Sequence, residues 1–347
     1  MAITLKQFVM SKTQLATHTQ DEHVLQYIPK NIFQTFQSAE LAKSPYQAIQ
    51  SWRSLNPTWS HYFFTDEDQR TFIADHFPSE VLWAYDQLLP GAYRADLWRY
   101  CVLYSKGGIY VDHKLVLHIP LDTAIPIDCE FATYQDQAVQ RYQNKPYEFY
   151  LWQGIMISKQ KHPFLKKAID NIVANVTLGN YGHDPLSITG PGLLGQSINE
   201  CLGRPFDAPF NLGSHQIRGY HFYVMPKPFQ SNKRRVIASL FHHESAVQMY
   251  PSYYREYQFT SLCPDKLDYA SAWFFSKVYQ HGQCFRSPND QHYTRKVKRF
   301  YRRKIKLAYR LGQYAYGRRL LLETLNRQAL QPRVWWLWLK YKIFKKI

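Results

Sequence analysis

Along residues 28–245, apolar and polar positions fall into short blocks whose period alternates between that of a helix and that of a strand. This is the pattern of an α/β domain. Ile28 to Phe36 (IPKNIFQTF) is predicted as a first strand, with Pro29 just before it. Ser44 and Pro45 supply a cap and an N1 proline to a helix with Ala48, Ile49, Trp52 and Leu55 on one face. It should end near Asn56-Pro57, and His61 to Phe64 then reads as a short strand. Thr65 caps a further helix whose first turn, Asp66-Glu67-Asp68, complements the helix dipole, so those acids are read as structural. Another helix is predicted around Glu80 to Leu88.

The stretch 91–116, GAYRADLWRYCVLYSKGGIYVDHKLV, is the most informative. A helix is predicted from Ala92 to Ser105, with Asp96 and Arg99 three apart on one face, along with Tyr100. Gly107 and Gly108 should end it in a close turn that side chains would block. Ile109, Tyr110 and Val111 are strand formers and deliver Asp112, His113 and Lys114 at the strand's C-terminal end. That is the edge at which open α/β sheets bind ligands. The set suits a sugar bearing a phosphate. Asp96 accepts from sugar hydroxyls, Arg99 as a fork and Lys114 as a point charge hold phosphate oxygens, and Asp112 holds a metal directly or through water. A salt-bridged surface helix beside a solvated strand end has the same spacing, so spacing alone leaves both readings open.

Glu130 to Tyr134 and Gly154 to Ser158 are predicted strands, with Asp136 just past the first, and His162-Pro163 opens a helix through about Ala174. At residues 184–195 (DPLSITGPGLLG) a glycine-containing turn precedes another helix. Its first N–H groups are expected to face an anion or hydroxyl. Phe241-His242-His243-Glu244-Ser245 follows a predicted strand; His243 or Glu244 is a candidate metal ligand or phosphate contact, against the alternative of two surface histidines.

Composition narrows the setting. A 347-residue chain with 45% hydrophobic residues can bury a sizeable core, as one large or two modest domains. The 27 tyrosines suit stacking on bases and sugar rings without being diagnostic. Five cysteines with no CxxC spacing argue against a full disulfide framework and for a reducing compartment. The first residues contain no long apolar run, so neither a leader nor a membrane anchor is expected there. Residues 290–347 carry 17 of the 43 Lys and Arg but only two of the 26 acids, which places +15 of the +17 net charge in one appendage. In that tail Val297, Phe300, Tyr301, Ile305, Ala308 and Leu311 recur at helical spacing, and Val334 to Ile347 mixes Trp and Leu with Lys. The stretch is too short to span a bilayer as an apolar segment. The expectation is an amphipathic helix lying on an anionic membrane through Arg299, Arg302, Arg303, Lys304, Trp335, Trp336 and Trp338. Nucleic-acid binding and a solvated helix docked on the core are the rivals. The expected division is a domain over residues 1–285 and a basic helical tail over 286–347.

The run Ala95-Asp96-Leu97-Trp98-Arg99-Tyr100, followed by Gly107-Gly108-Ile109-Tyr110-Val111-Asp112-His113-Lys114, resembles the signature of glycosyltransferase family 32 and its clostridial-toxin-like relatives, S/A-D-x-x-R-Y then GG-x-Y-x-D-x-D. IPKNIFQTF is similar to that family's opening strand, with Phe36 in place of a tryptophan, and Thr189-Gly190-Pro191 to its T-G-P before a helix. Trp152 to Met156 resembles a family segment in which a polar residue near the pocket precedes a strand. The resemblance implies a GT-A-like α/β domain, with a mixed central sheet flanked by helices, followed here by the C-terminal basic helical extension. It implies transfer of a sugar from a nucleotide-sugar donor to an acceptor hydroxyl, with retention of anomeric configuration. Asp96, Arg99, Asp112 and Lys114 would form the catalytic set. Gln34, Phe36, Tyr100, Gly107, Gly108, Tyr110, Gly190, Pro191 and His243 would bind the donor, and Asp112 with His243 would hold Mn2+ or Mg2+. One departure stands out: Lys114 occupies the second acidic position of the DXD, which in the family is a main metal ligand. A lysine there supplies part of the positive charge that a divalent ion brings to the leaving diphosphate. The expected setting is cytoplasmic, peripheral on the inner face of a bacterial membrane, with a saccharide or lipid-linked acceptor in surface-polysaccharide or glycolipid synthesis and no specific nucleic acid. A toxin-like effector that glycosylates a host protein, and a non-catalytic sugar- or lipid-binding relative, stay open.

Overall fold

The structure is a computed structural model that describes residues 3–4, 28–37, 39–41, 43–136, 148–180, 182, 184–226, 229–230 and 235–249. The elements run β1 (Ile3–Thr4), β2 (Asn31–Thr35), β3 (Glu40–Leu41), α1 (Lys43–Leu55), β4 (Ser60–Phe64), α2 (Asp66–His76), α3 (Ser79–Gln87) and α4 (Gly91–Lys106). They continue with β5 (Gly108–Val111), β6 (Leu115–Leu117), α5 (Leu121–Ala124), β7 (Phe131–Gln135), β8 (Leu151–Ser158), α6 (Pro163–Leu178) and α7 (Pro191–Cys201). The last strands are β9 (Gly213–Ile217), β10 (Tyr220–Met225), β11 (Phe229–Gln230), β12 (Arg235–Leu240) and β13 (His243–Met249).

Seven strands form one mixed sheet in the order β4-β2-β5-β8-β7-β10-β9. β2 is parallel to β4 and β5, β10 is parallel to β7, and the remaining neighbours are antiparallel. The expected α/β class, a mixed sheet flanked by helices, is therefore what the chain adopts. Strand alternation divides the core into two. Phe33, Tyr110, Phe131 and Met156 point into a cluster shared with α2, α3, α4, α6 and α7. Their neighbours Ile32, Ile109, Ala132 and Ile157 point the other way, against Trp52 of α1 and Leu121 of α5. A second sheet of four antiparallel strands, β11-β12-β13-β6, adds Leu117 and Val247 to that face.

Helix α4 is the one that carries the site, and its burial explains its position. Leu97, Trp98, Cys101, Val102 and Leu103 are all fully buried. At roughly 1.5–3 kcal/mol for each large apolar side chain removed from water, packing rather than helix propensity fixes this element. It ends as the glycine pair requires. Gly107 has φ +63° and Gly108 φ +116°, and a Cβ on Gly108 would stand 2.4 Å from the Asn31 carbonyl oxygen. The turn therefore brings β5 directly beside β2. Thr65 caps α2 in a reciprocal box with Asp68, so the acidic first turn is structural, as its position implied. α1 begins at Lys43, one residue before the expected cap. The indole of Trp52 donates to the Leu115 carbonyl at 2.7 Å, which anchors the chain just after Lys114. Among the described residues no helix is long and apolar enough to cross a membrane. The expected domain boundary at 285 and the tail residues Arg299, Arg302, Arg303, Lys304, Trp335, Trp336 and Trp338 lie outside the described residues.

Candidate functional site

Two elements bring charge together. α4 carries Asp96 and Arg99 on one face, and the C-terminal end of β5 carries Asp112, whose N–H donates to the Gly154 carbonyl of β8 at 2.8 Å. Arg99 Nη2 lies 3.2 Å from Asp96 Oδ1, and its Nη1 lies 3.7 Å from Asp112 Oδ1. Lys114 Nζ is 3.6 Å from Asp112 Oδ2. The result is a chain of alternating charge, Asp96, Arg99, Asp112, Lys114, that runs from the buried end outward. The Asp96 and Arg99 side chains are 10% and 9% exposed, whereas that of Lys114 is 26% exposed. The four residues expected to act together are brought together.

Neutral groups hold this chain in place. Arg99 Nη1 donates to the Gln153 carbonyl at 2.9 Å and its Nε to the Ala95 carbonyl at 3.2 Å, with the guanidinium 4.4 Å over the Tyr110 ring. Tyr110 Oη donates to Asp112 Oδ1 at 2.9 Å. Thr189 Oγ1 donates to Asp96 Oδ2 at 2.8 Å, and the Gln153 side chain also hydrogen-bonds Asp96. Tyr100 Oη lies 2.5 Å from Gln153 Oε1 and 3.1 Å from the Thr189 carbonyl. Burial holds the hydroxyls of Tyr100 and Tyr110 well above the ordinary phenol range, so both remain donors.

The two carboxylates are driven in opposite directions. Burial pushes Asp96 up to about 6, against the pull of Arg99 and Thr189. Burial would also raise Asp112, but Lys114, Arg99 and His113 outweigh it and hold that carboxyl below its usual range. Burial opposes the charged form of Arg99, yet Tyr110, Asp96 and Asp112 together keep it firmly protonated. His113 is lowered to about 4, chiefly by burial and further by Lys114 against the opposing pull of Asp112, so its ring is neutral near pH 7.

Other expected donor contacts fall in different places. Phe36 is buried with Leu41, Ile49 and Phe63 in a small core, its ring 4.5 Å from that of His113. Gln34 is fully buried, its Oε1 2.7 Å from His61 Nε2 and its Nε2 without a hydrogen-bond partner. Gly107 and Gly108 both have positive φ and shape the turn that leads from α4 into β5. Gly190 precedes α7 and Pro191 is its first residue. The N–H of Gly192 already donates to the Leu186 carbonyl at 3.1 Å, and proline has no N–H to offer. The expected row of free amides is thus corrected: what this loop delivers is the Thr189 hydroxyl. The loop is held by Asp184, whose Oδ1 accepts from the Leu186 N–H at 2.8 Å and whose Oδ2 accepts from Tyr150 Oη at 2.9 Å. Thr189 and Gln153 are the residues whose direct contact with Asp96 motif reading did not assign.

His243 is also corrected. It begins β13, exposed, with Nε2 3.4 Å from the Thr123 carbonyl of α5. The register places Met249, not His243, opposite Leu115. Six residues of strand separate the two, about 20 Å at ~3.3 Å per residue. His243 therefore does not join Asp112 as a ligand pair. The remaining donor set does not suit a divalent ion, which a phosphate site holds through one or two open carboxylates together with the phosphates themselves. Asp112 offers one carboxylate, already flanked by a guanidinium and an ammonium. Two unit charges ~4 Å apart interact by about 4 kcal/mol at an effective dielectric of ~20, and a divalent ion doubles the repulsion.

Fold and site together define an α/β protein with a preorganised polar site at a strand end, chemically suited to a polyhydroxylated, anionic ligand. Residues 43–132 match the family described as "Glycosyltransferase sugar-binding region containing DXD motif", and the likeness to that family is confined to this region of the chain. It contains Asp96, Arg99, Asp112 and Lys114. Among curated proteins the chain is 40% identical over 145 residues to inositol phosphoceramide mannosyltransferase 3 of Schizosaccharomyces pombe, covering 42% of this chain and 37% of that protein. It is 26% identical over 221 residues to the initiation-specific alpha-1,6-mannosyltransferase of Candida albicans, covering 52% of this chain and 55% of that one. The chain thus spans about half, or less, of the length of these relatives. Among solved structures, the PaToxG glycosyltransferase is similar over 51% of this chain and 70% of that chain, with a TM-score of 0.40 and 14% identity.

Proposed function

We propose that this protein is a glycosyltransferase that moves a hexose from a nucleotide-sugar donor to an acceptor hydroxyl. The observation that carries this reading is the ionic chain from Asp96 through Arg99 and Asp112 to Lys114, lying within the family-matched region. Each member has a task in that chemistry. Asp96, its orientation fixed by Thr189 and Gln153, accepts hydrogen bonds from the hydroxyls of the donor sugar. Arg99 is clamped between two carboxylates and keeps both in position. Lys114, at the more exposed end, faces the diphosphate, whose negative charge grows as the sugar departs. The names of the fungal relatives favour mannose as the sugar and a glycolipid headgroup or saccharide as the acceptor. The basic, tryptophan-bearing stretch over residues 290–347 suits an enzyme that meets such an acceptor at an anionic membrane. Retention of anomeric configuration belongs to the same proposal.

One observation favours a second reading. Lys114 in place of an acid is what a non-catalytic sugar-binding relative would also show. Turnover separates the two. The full chain, incubated with GDP-mannose and a panel of other nucleotide sugars, is expected to release nucleoside diphosphate. Asp96→Ala and Asp112→Ala should each cut that release at least a hundredfold. Equal release by wild type and both variants would overturn the assignment of the site, and binding without any release would favour the sugar-binding relative.

A further inference from the structure

We infer that this site binds the donor diphosphate without a divalent ion, and that the Lys114 ammonium is its resident cation. The inference rests on the donor-site reading above and goes on to say what neutralises the diphosphate.

The charge balance is the first argument. Asp96, Arg99, Asp112 and Lys114 are two acids and two bases in one connected chain, so their formal charges cancel. An acid at position 114 would leave the same cluster at −2, the charge that a divalent ion cancels. With lysine the cancellation is already made by covalent structure.

Geometry is the second. Asp112 Oδ1 accepts from Tyr110 Oη at 2.9 Å and faces Arg99 Nη1 at 3.7 Å, while Oδ2 faces Lys114 Nζ at 3.6 Å. Both oxygens are thus committed to positive or hydrogen-bearing groups. The other carboxylate in reach, Asp96, gives Oδ1 to Arg99 and Oδ2 to Thr189. Neither acid has an uncommitted oxygen to give as the one or two carboxylate ligands through which a phosphate site holds a hard cation. The position of Lys114 is fixed as well. Asp112 and Leu115 close a turn around it, with the Leu115 N–H 3.1 Å from the Asp112 carbonyl, and Trp52 pins the Leu115 carbonyl. A lysine held in this way supplies a point charge to a departing diphosphate without the loss of an ion's hydration shell.

Calorimetric titration of the full chain with GDP, UDP and the other nucleoside diphosphates, in EDTA and in manganese, tests this. The expected result is that the nucleotide that binds does so with a Kd that agrees within threefold between the two conditions. Lys114→Met should weaken binding tenfold or more in both conditions, and Lys114→Arg should keep most of it. Lys114→Asp should bind only with manganese, and should show a manganese signal by electron paramagnetic resonance that wild type lacks. Circular dichroism checks that each variant is folded. Wild-type binding that falls tenfold or more in EDTA, with that dependence lost in Asp112→Asn, would overturn this inference and leave the donor-site reading standing. Unchanged affinity in Lys114→Met would also overturn it. Failure of every nucleotide to bind in either condition would overturn both.

Discussion

Asp96 is the residue at which burial and charge meet most sharply. Its carboxyl titrates at about 6 in the fold against 3.8 for the ordinary group, because burial outweighs Arg99 and Thr189. A raised acid constant means that the folded state holds the proton more tightly. The contribution to stability is therefore fully present below about pH 3.8 and is lost as pH rises through about 6. Two units correspond to roughly 3 kcal/mol. Asp96→Asn abolishes this titration, so its unfolding free energy relative to wild type should improve by about that amount between pH 4 and pH 8, measured by urea unfolding at both. A constant difference across the range would mean that Asp96 is not buried as described. Wild-type donor turnover should rise over the same window, since only the ionised carboxylate accepts from sugar hydroxyls without giving up its Arg99 pair. Asp112 moves the other way, and its contribution is lost only below about pH 4. At this scale the sequence announced Asp96, Arg99 and Asp112 because their spacing is local. It did not announce Thr189 as a partner of Asp96, since 93 residues separate them and only the folded loop brings the hydroxyl across.

Between residues and fold stands the α4–β5 unit, a helix, a two-glycine turn and a strand that together aim the site. The turn depends on Gly108, whose backbone is left-handed and whose missing Cβ admits the Asn31 carbonyl. Gly108→Ala should lower the unfolding free energy by at least about 2 kcal/mol, through backbone strain together with the forced separation of β5 from β2. Chemical denaturation measures this, and a loss under about 0.5 kcal/mol would contradict the close approach. This unit was legible almost to the residue, with Ala92 to Ser105 expected and Gly91–Lys106 found, because periodicity and glycine punctuation are both local signals. The four-stranded sheet was not. It pairs β6, three residues long, with β13 more than 120 residues later, and so short a strand leaves no period to read. The same sheet explains why His243 was misplaced, since register alone determines which end of β13 faces the site.

At the scale of the whole molecule, three histidines among the described residues are held in neutral form. Burial lowers His61 and His162 to about 3 and His113 to about 4. For a base with a depressed folded constant, the unfolded chain takes up protons first as pH falls. Stability is therefore full above about pH 6.5 and is lost as pH drops towards 4, by on the order of 1 kcal/mol per pH unit for the fully buried His162 and by less for the half-buried His61 and His113. The Asp96 contribution runs against this and offsets part of it. The expected outcome is a melting temperature that falls steadily from pH 6.5 to 4.5, and that falls less steeply in His162→Gln; a flat profile would show that these rings are protonated without cost. His162 is the cleanest probe, being fully buried among Phe131, Phe164 and Tyr220 and far in sequence from the acidic chain.

The central claim is that one ionic chain, sugar-facing at Asp96 and phosphate-facing at Lys114, receives an activated hexose. A crystal structure of the full chain with its nucleotide-sugar donor tests it most directly. The account predicts the donor sugar hydrogen-bonded to Asp96 and the diphosphate within about 4 Å of the Lys114 ammonium. A donor bound on another face, with Asp96 and Lys114 untouched, would contradict it.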